Sequence, residues 1–182
     1  MNETQASHTA KAASLPEQSE SPSIDPAVFR KIMAAFPTGV TVITTTADDG
    51  TYKGFTSNAV TSVSMTPPML LVCVALTSET LPVLRTAKRF VVNFLKAGEH
   101  DTSNRFARKG SSKFDGVACD DYDGLPLLHD HTIAHAVCAT ELEVEAGDHI
   151  VLIGRVLHGG VHGDDVQPLL YYQSGYLPWP SA

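Results

Sequence analysis

The run Val40-Thr-Val-Ile-Thr-Thr-Thr46, followed by Ala47-Asp-Asp-Gly50 and Tyr52-Lys-Gly-Phe-Thr56, decides the fold. Its seven consecutive β-branched residues are stiff at χ1, crowd a helix and suit a pleated surface. Asp49-Gly50 is a hairpin signal, so the pattern predicts antiparallel strands at Val40 to Thr46 and Tyr52 to Thr56. Ala59 to Met65 continues extended until Pro67-Pro68 interrupts it. Met69 to Leu76 is apolar throughout, which reads as a central strand covered on both faces.

Upstream, Asp25 can cap a helix and Pro26 suits its first position, where a missing N–H costs nothing. Phe29, Ile32, Met33 and Phe36 recur at i, i+3, i+4 and i+7 as one apolar stripe, and Pro37 ends it. Downstream, Ser78 is a candidate N-cap for a helix through Leu81, Leu84 and Ala87. Arg89 to Leu95 reads as a strand, and a further helix ends near Arg108, Lys109 and Gly110. Ser111 to Gly124 reads as loop. Thr132 to Glu145 and His149 to Val161 are alternating strands joined across Ala146-Gly147-Asp148, and Leu169 to Tyr172 is a last edge strand. Six or seven strands with three short inserted helices predict a mainly β, antiparallel barrel. No G-x-G-x-x-G follows any strand, so a doubly wound dinucleotide fold is not indicated.

The composition bounds the function. The 182 residues are one domain's worth of chain, with 43% hydrophobic and 18% charged residues. A net charge of −7 disfavours nucleic acid or an acidic membrane surface as partner. The longest apolar run, Met69 to Leu76, has eight residues and cannot span a bilayer. The first twenty residues contain no apolar signal-peptide core. Cys73, Cys119 and Cys138 are odd in number and widely spaced, which suits free thiols in a reducing cytoplasm. Residues 1–23 are polar, lack aromatics and glycine, and read as a disordered leader; residues 24–182 form the expected folded domain.

Four stretches could carry chemistry. Gly54 to Pro68 has no charge in fifteen positions but six hydroxyls: Thr56, Ser57, Thr61, Ser62, Ser64 and Thr66. Neutral donors of this kind can cradle an anion, and Asn58 adds an amide for a heterocycle edge. The same stretch also reads as ordinary strand and loop with hydroxyls toward solvent. Gly147-Asp148-His149 places an imidazole at a strand mouth, either to meet a bound ring or merely to flank a turn. His129, His131 and His135 share parity in an extended chain and could bind a divalent metal; an exposed histidine-rich connection is the competing account. Lys113-Phe114 could meet a phosphate or stack on a base. No nucleophile elbow, Walker loop or paired carboxylates occur, and Cys73 and Cys138 lie in apolar strands.

Six motifs then fall in order: Phe29-Arg30-x-x-Met33-x-x-Phe36-Pro37-Thr38-Gly39-Val40; Gly54-x-Thr56-x-Asn58; Ser62-Val63-Ser64-x-x-Pro67-Pro68; Phe90-x-Val92-Asn93; Lys113-Phe114-x-Gly116; and Gly147-Asp148-His149. Over Phe29 to Tyr176 the chain resembles the short-chain flavin reductases, the reductase components of two-component flavin-dependent monooxygenases. The resemblance implies an FMN-binding split barrel of Greek-key type, a homodimer, and NAD(P)H:flavin oxidoreductase activity. It implies FAD or FMN as an exchangeable substrate, NADH or NADPH as donor, and a monooxygenase that receives the reduced flavin. By position, Thr56, Ser57, Asn58 and Ala59 would hold the flavin ring and ribityl chain. Ser62, Cys73, Val74, Ala75 and Ser78 would lie along the flavin or its phosphate. Asn93, Lys113 and Phe114 would close the far side, and Thr38, Gly39, His149 and Tyr176 would face the nicotinamide, with His149 as the catalytic candidate. The family pattern often has serine where this chain has Asn58.

The implied chemistry needs no nucleophile. Hydride passes from nicotinamide C4 to flavin N5, so the protein has chiefly to stack two flat rings about 3–3.5 Å apart. A neutral cradle fits a ligand that must leave. Two alternatives stay open: a non-catalytic flavin-binding protein on the same barrel, and a metal-dependent oxygenase built on His129, His131 and His135.

Overall fold

The computed structural model describes residues 23–163 and 165–179. The expected leader falls almost wholly on residues 1–22, outside the described residues. The helices are α1 (Pro26–Ala34), α2 (Leu81–Ala87) and α3 (His100–Ala107). The strands are β1 (Thr38–Gly39), β2 (Thr41–Thr46), β3 (Tyr52–Ser57), β4 (Val60–Met65), β5 (Pro68–Ala75), β6 (Arg89–Leu95), β7 (Asp120–Tyr122), β8 (Leu125–Leu127), β9 (Thr132–Ala146), β10 (His149–Val161), β11 (Leu170–Tyr172) and β12 (Gly175–Leu177).

Seven strands form the main sheet in the order β3-β2-β6-β9-β10-β5-β4, and every pairing is antiparallel. The two edge strands, β3 and β4, are consecutive in the chain, joined by Asn58-Ala59 and not hydrogen-bonded to each other. The sheet therefore curls into a barrel left open along one seam, as the sequence predicted. The β-branched run supplies β2, which pairs with β3 from Thr41↔Ser57 to Thr46↔Tyr52 around the Asp49-Gly50 turn. Inside the barrel, Ile43, Val72, Val74, Leu84, Phe90, Val92, Ile150 and Leu152 are each at most 1% exposed. Burying one such side chain contributes about 1.5–3 kcal/mol. Gly154 lets this core close, because a Cβ there would lie 2.7 Å from Phe90 Cζ.

Several expectations need correction. Met69 to Leu76 is not a central strand: β5 lies next to the sheet edge, with Leu70, Val72 and Val74 buried and Leu71, Cys73 and Ala75 half-buried on the other face. An apolar residue on that second face signals a cleft rather than a second core. Ser111 to Gly124 is not loop throughout, because it holds a 3₁₀ turn at Ser112–Phe114 and strand β7, which pairs with β8 in a short hairpin. Short segments of this kind carry too little periodicity to be read locally. The β12 strand was likewise missed. Ser78 does not cap α2; Thr80 precedes the helix, and Ser78 Oγ accepts the Thr80 N–H instead. The Asp25 cap of α1 is as read, with Asp25 Oδ1 accepting from Ala27 N at 2.6 Å. Its apolar stripe, however, does not meet this chain's core: Phe29, Ile32, Met33 and Phe36 are 51–65% exposed.

Candidate functional site at the barrel seam

Where β3 ends and β4 begins, the sheet has no ladder partner across the seam, and the backbone there is free to line a cleft. A cavity of about 620 Å³ opens at this point. It is bounded by Thr38, Gly39, Asn58, Ala59 and Thr61, with Leu71 and Cys73 of β5 as its floor and Met33 of α1 and Phe36 just after it at its lip. None of its lining residues is Asp, Glu, Lys, Arg or His. Cys73 adds no charge either, because burial pushes its thiol above the ordinary value of 9.0. A second cleft, of about 270 Å³, lies on the other side of Asn58 and is lined by Thr56, Ser57, Ser103, Asn104 and Tyr176 among others. Asn58 borders both clefts and donates from Nδ2 to Thr38 Oγ1 at 3.2 Å. The volumes suit a flat heterocycle in the larger space with a polar arm in the smaller.

Local hydrogen bonds hold the polar rim. Ser57 Oγ accepts from Ala59 N at 3.2 Å, fixing the turn that carries Asn58. Thr56 Oγ1 donates to Ser103 O at 2.6 Å, tying the strand end to α3. The Tyr176 hydroxyl sits 2.9 Å from both Ser103 Oγ and Asn104 Oδ1.

The structure thus gathers Thr38, Gly39, Thr56, Ser57, Asn58, Ala59, Cys73 and Tyr176 around the seam. His149 pairs with Ala75 across β10 and β5, which puts it on the same half-open sheet face as Cys73 and Leu71. Its Nδ1 lies 2.7 Å from Asp148 Oδ1, and this hydrogen bond holds the Asp148 carboxyl below its ordinary range. Nε2 is left as the ring's remaining polar atom.

Other expected residues go elsewhere. Asn93 corrects the sequence reading: its side chain is fully buried, donates to Val42 O and Thr44 Oγ1 at 3.0 Å each, and accepts from Leu128 N. All its polar capacity is spent inside the fold. The Val74 side chain is also core, leaving only backbone for a ligand. Lys113 Nζ donates to Gly54 O at 3.0 Å and Phe106 O at 3.3 Å, and burial holds its amine below the usual lysine value. Phe114 packs edge-on against Phe106 with ring centres 4.9 Å apart. Lys113 and Phe114 border a separate small recess with Tyr52 and Glu79. Ser62 is exposed on β4, and Ser78 is occupied at its turn.

The histidine trio does not assemble. His129 and His131 lie in a 3₁₀ turn, where backbone parity does not apply, and His131 Nδ1 is 2.8 Å from Glu99 Oε2. His135 meets His162 instead. Among the residues the sequence reading missed are Leu71 of the larger cleft and Asn104 of the smaller. The spacing of Leu71 and Cys73 on one strand was the available signal.

The geometry agrees with what the chain is similar to. The "Flavin reductase like domain" family matches residues 33–180. A flavin reductase (NADH) of Kitasatospora aureofaciens is 40% identical over 159 residues, covering 86% of this chain and 83% of that protein. The reductase component of a flavin-dependent trigonelline monooxygenase from Acinetobacter baylyi is 43% identical over 82% of this chain, which spans 47% of that protein's length. Among solved structures, an NADH:FAD oxidoreductase of Streptomyces globisporus, in complex with NAD and FAD fragments, superposes with a TM-score of 0.80 at 29% identity, covering 88% of this chain and 98% of the other. An open-seamed antiparallel barrel, an uncharged cleft at the seam and this span of similarity agree: the chain belongs to the flavin reductase like domain family.

Proposed function

We propose that this chain is an NAD(P)H:flavin oxidoreductase that reduces free FAD or FMN and supplies the reduced flavin to a partner monooxygenase. The observation that carries the reading is the uncharged seam cleft of about 620 Å³ with the Asn58–Thr38 amide–hydroxyl pair at its rim. When bound there, the flavin supplies the electron acceptor and the nicotinamide the hydride. The protein's share is positional. Thr38, Asn58 and Thr61 present hydroxyl and amide groups to the larger cleft, Leu71, Cys73 and Met33 supply its apolar walls, and Thr56 and Ser57 line the smaller cleft beyond Asn58. Having no fixed cation in its lining, the cleft holds its ligand without a clamp that would slow release. His149, held by Asp148 on the sheet face that carries Cys73, would meet the donor side, a role its pairing with Ala75 supports.

The same reading makes the working unit a homodimer. Phe29, Ile32, Met33 and Phe36 form an exposed apolar stripe, and Met33 and Phe36 also border the cleft. A second copy covering the stripe would bury it and exclude water from the seam together. The cytoplasm is the matching compartment, since all three cysteines are free thiols. Among the described residues no helix is long and apolar enough to cross a membrane.

A grid of FAD or FMN against NADH or NADPH tests the activity, with nicotinamide oxidation followed at catalytic protein. Turnover of added flavin in at least one combination is expected. Background rates in all four would overturn the reading, and tightly retained flavin inert to both donors would point to a binding protein instead.

A further inference from the structure

We propose that His129, His135, His158 and His162 form a binding site for a divalent transition-metal cation, with Zn²⁺ as the reference ion. The strand pattern creates the cluster. His158 pairs with Val137, Gly160 with His135, and His162 N donates to Ile133 O, so His158, Gly160 and His162 alternate onto the face that His135 shares. Gly160, between the two histidines, leaves room for the facing imidazole, because a Cβ there would lie 3.2 Å from His135 Cε1. The 3₁₀ turn before β9 brings His129 over the same spot.

Three of the six ring pairs stand near the spacing a metal would impose. Imidazole nitrogens bind Zn²⁺ at about 2.0–2.1 Å, which puts neighbouring ring centres about 5 Å apart in a tetrahedral set. The observed separations are 4.2 Å for His129–His162, 4.9 Å for His135–His162 and 5.9 Å for His135–His158. His135 is only 8% exposed, and its Nε2 is buried with no hydrogen-bond partner. A buried donor atom left unpaired beside three other imidazoles is the second observation pointing to a ligand. Among the described residues no three donor atoms converge as the rings stand. The reason is local: His135 Nδ1 and His162 Nε2 face each other at 2.9 Å and satisfy one another. Ring rotation about χ2 exchanges that bond for two metal bonds. His129, at the exposed end, has Asp130 Oδ1 3.8 Å from its Nδ1, and a carboxylate beside a metal-bound imidazole orients it. His131 is outside the set, held by Glu99.

The test uses the full-length, untagged chain after chelator treatment, titrated calorimetrically with Zn²⁺ and, in parallel, spectroscopically with Co²⁺. One Zn²⁺ per chain is expected, together with the visible absorption of tetrahedral nitrogen-bound Co²⁺. Replacing His135 risks the fold, so the decisive variant is His129→Asn with His162→Asn, both less buried than His135. It should bind Zn²⁺ about 100-fold more weakly, while circular dichroism and flavin turnover in chelator stay unchanged. A His100→Asn variant should bind as the parent does. Equal Zn²⁺ affinity in the parent and the double variant, or loss of binding in His100→Asn, would overturn the proposal.

Discussion

Asn58 Nδ2 donates to Thr38 Oγ1 at 3.2 Å, linking the linker that joins the two edge strands to β1 beneath α1. Because Asn58 is exposed and borders both clefts, the pair is part of the ligand's surroundings more than of the core.

Asn58→Ala is therefore expected to raise the flavin KM by about 2–10-fold, the equivalent of one hydrogen bond of about 0.5–1.5 kcal/mol. Tm should move little. Steady-state kinetics beside a thermal melt checks this; a large loss of Tm with unchanged KM would make Asn58 a structural residue.

His149→Ala should raise the KM for the nicotinamide donor more than that for flavin, because His149 lies one strand beyond Cys73 on the open sheet face. Kinetics with each substrate varied in turn reads this directly. Equal changes in both constants would show that the Asp148–His149 contact only supports the turn.

Lys113→Met separates an anchor from a phosphate clamp. Both hydrogen bonds of Nζ go to backbone carbonyls, Gly54 O and Phe106 O. The substitution is expected to lower stability by about 1–3 kcal/mol, with flavin KM changed less than about twofold. Denaturant melts and kinetics decide, and a rise in KM with full stability would return Lys113 to the ligand site.

Cys73 should be alkylated slowly at neutral pH. Its folded-state thiol value is raised above 9.0 by burial, so the reactive thiolate is scarce below that pH and the rate should still be climbing as pH passes 9.0. Saturating flavin should protect it. Cys138, pushed up to about 12, should react only on unfolding. Peptide mapping after timed iodoacetamide treatment distinguishes the thiols, and fast labelling of Cys73 at pH 7 would contradict the uncharged cleft.

Ile32→Glu places a charge in the exposed stripe of α1. It should shift a dimer toward monomer and reduce turnover, because Met33 of the same helix and Phe36 just after it border the cleft. Sedimentation measures the shift. An unchanged oligomeric state with full activity would place the dimer contact elsewhere.

Local sequence determined the longer strands of the main sheet and the first helix. Seven β-branched residues in a row and a cap at Asp25 are choices made by neighbours within a few residues, through side-chain stiffness and a single hydrogen bond. The uncharged run from Gly54 to Pro68 likewise marked the seam, since the Asn58-Ala59 link between the two edge strands lies within it, whereas Thr38, Leu71, Cys73 and Tyr176 reach the clefts only through the fold. Which polar groups face a ligand was decided only by tertiary packing. Asn93 and Lys113 stand in motif positions, yet each donates to groups of distant segments, Val42 O and Thr44 Oγ1 for one and Gly54 O for the other. The histidines show the same limit: parity along one strand paired His129 and His131 with His135, whereas the turn removed His131 and the neighbouring strand brought in His158 and His162. A hydrogen bond's partner depends on which strand lies alongside, and strand order is a property of the closed sheet rather than of any one segment.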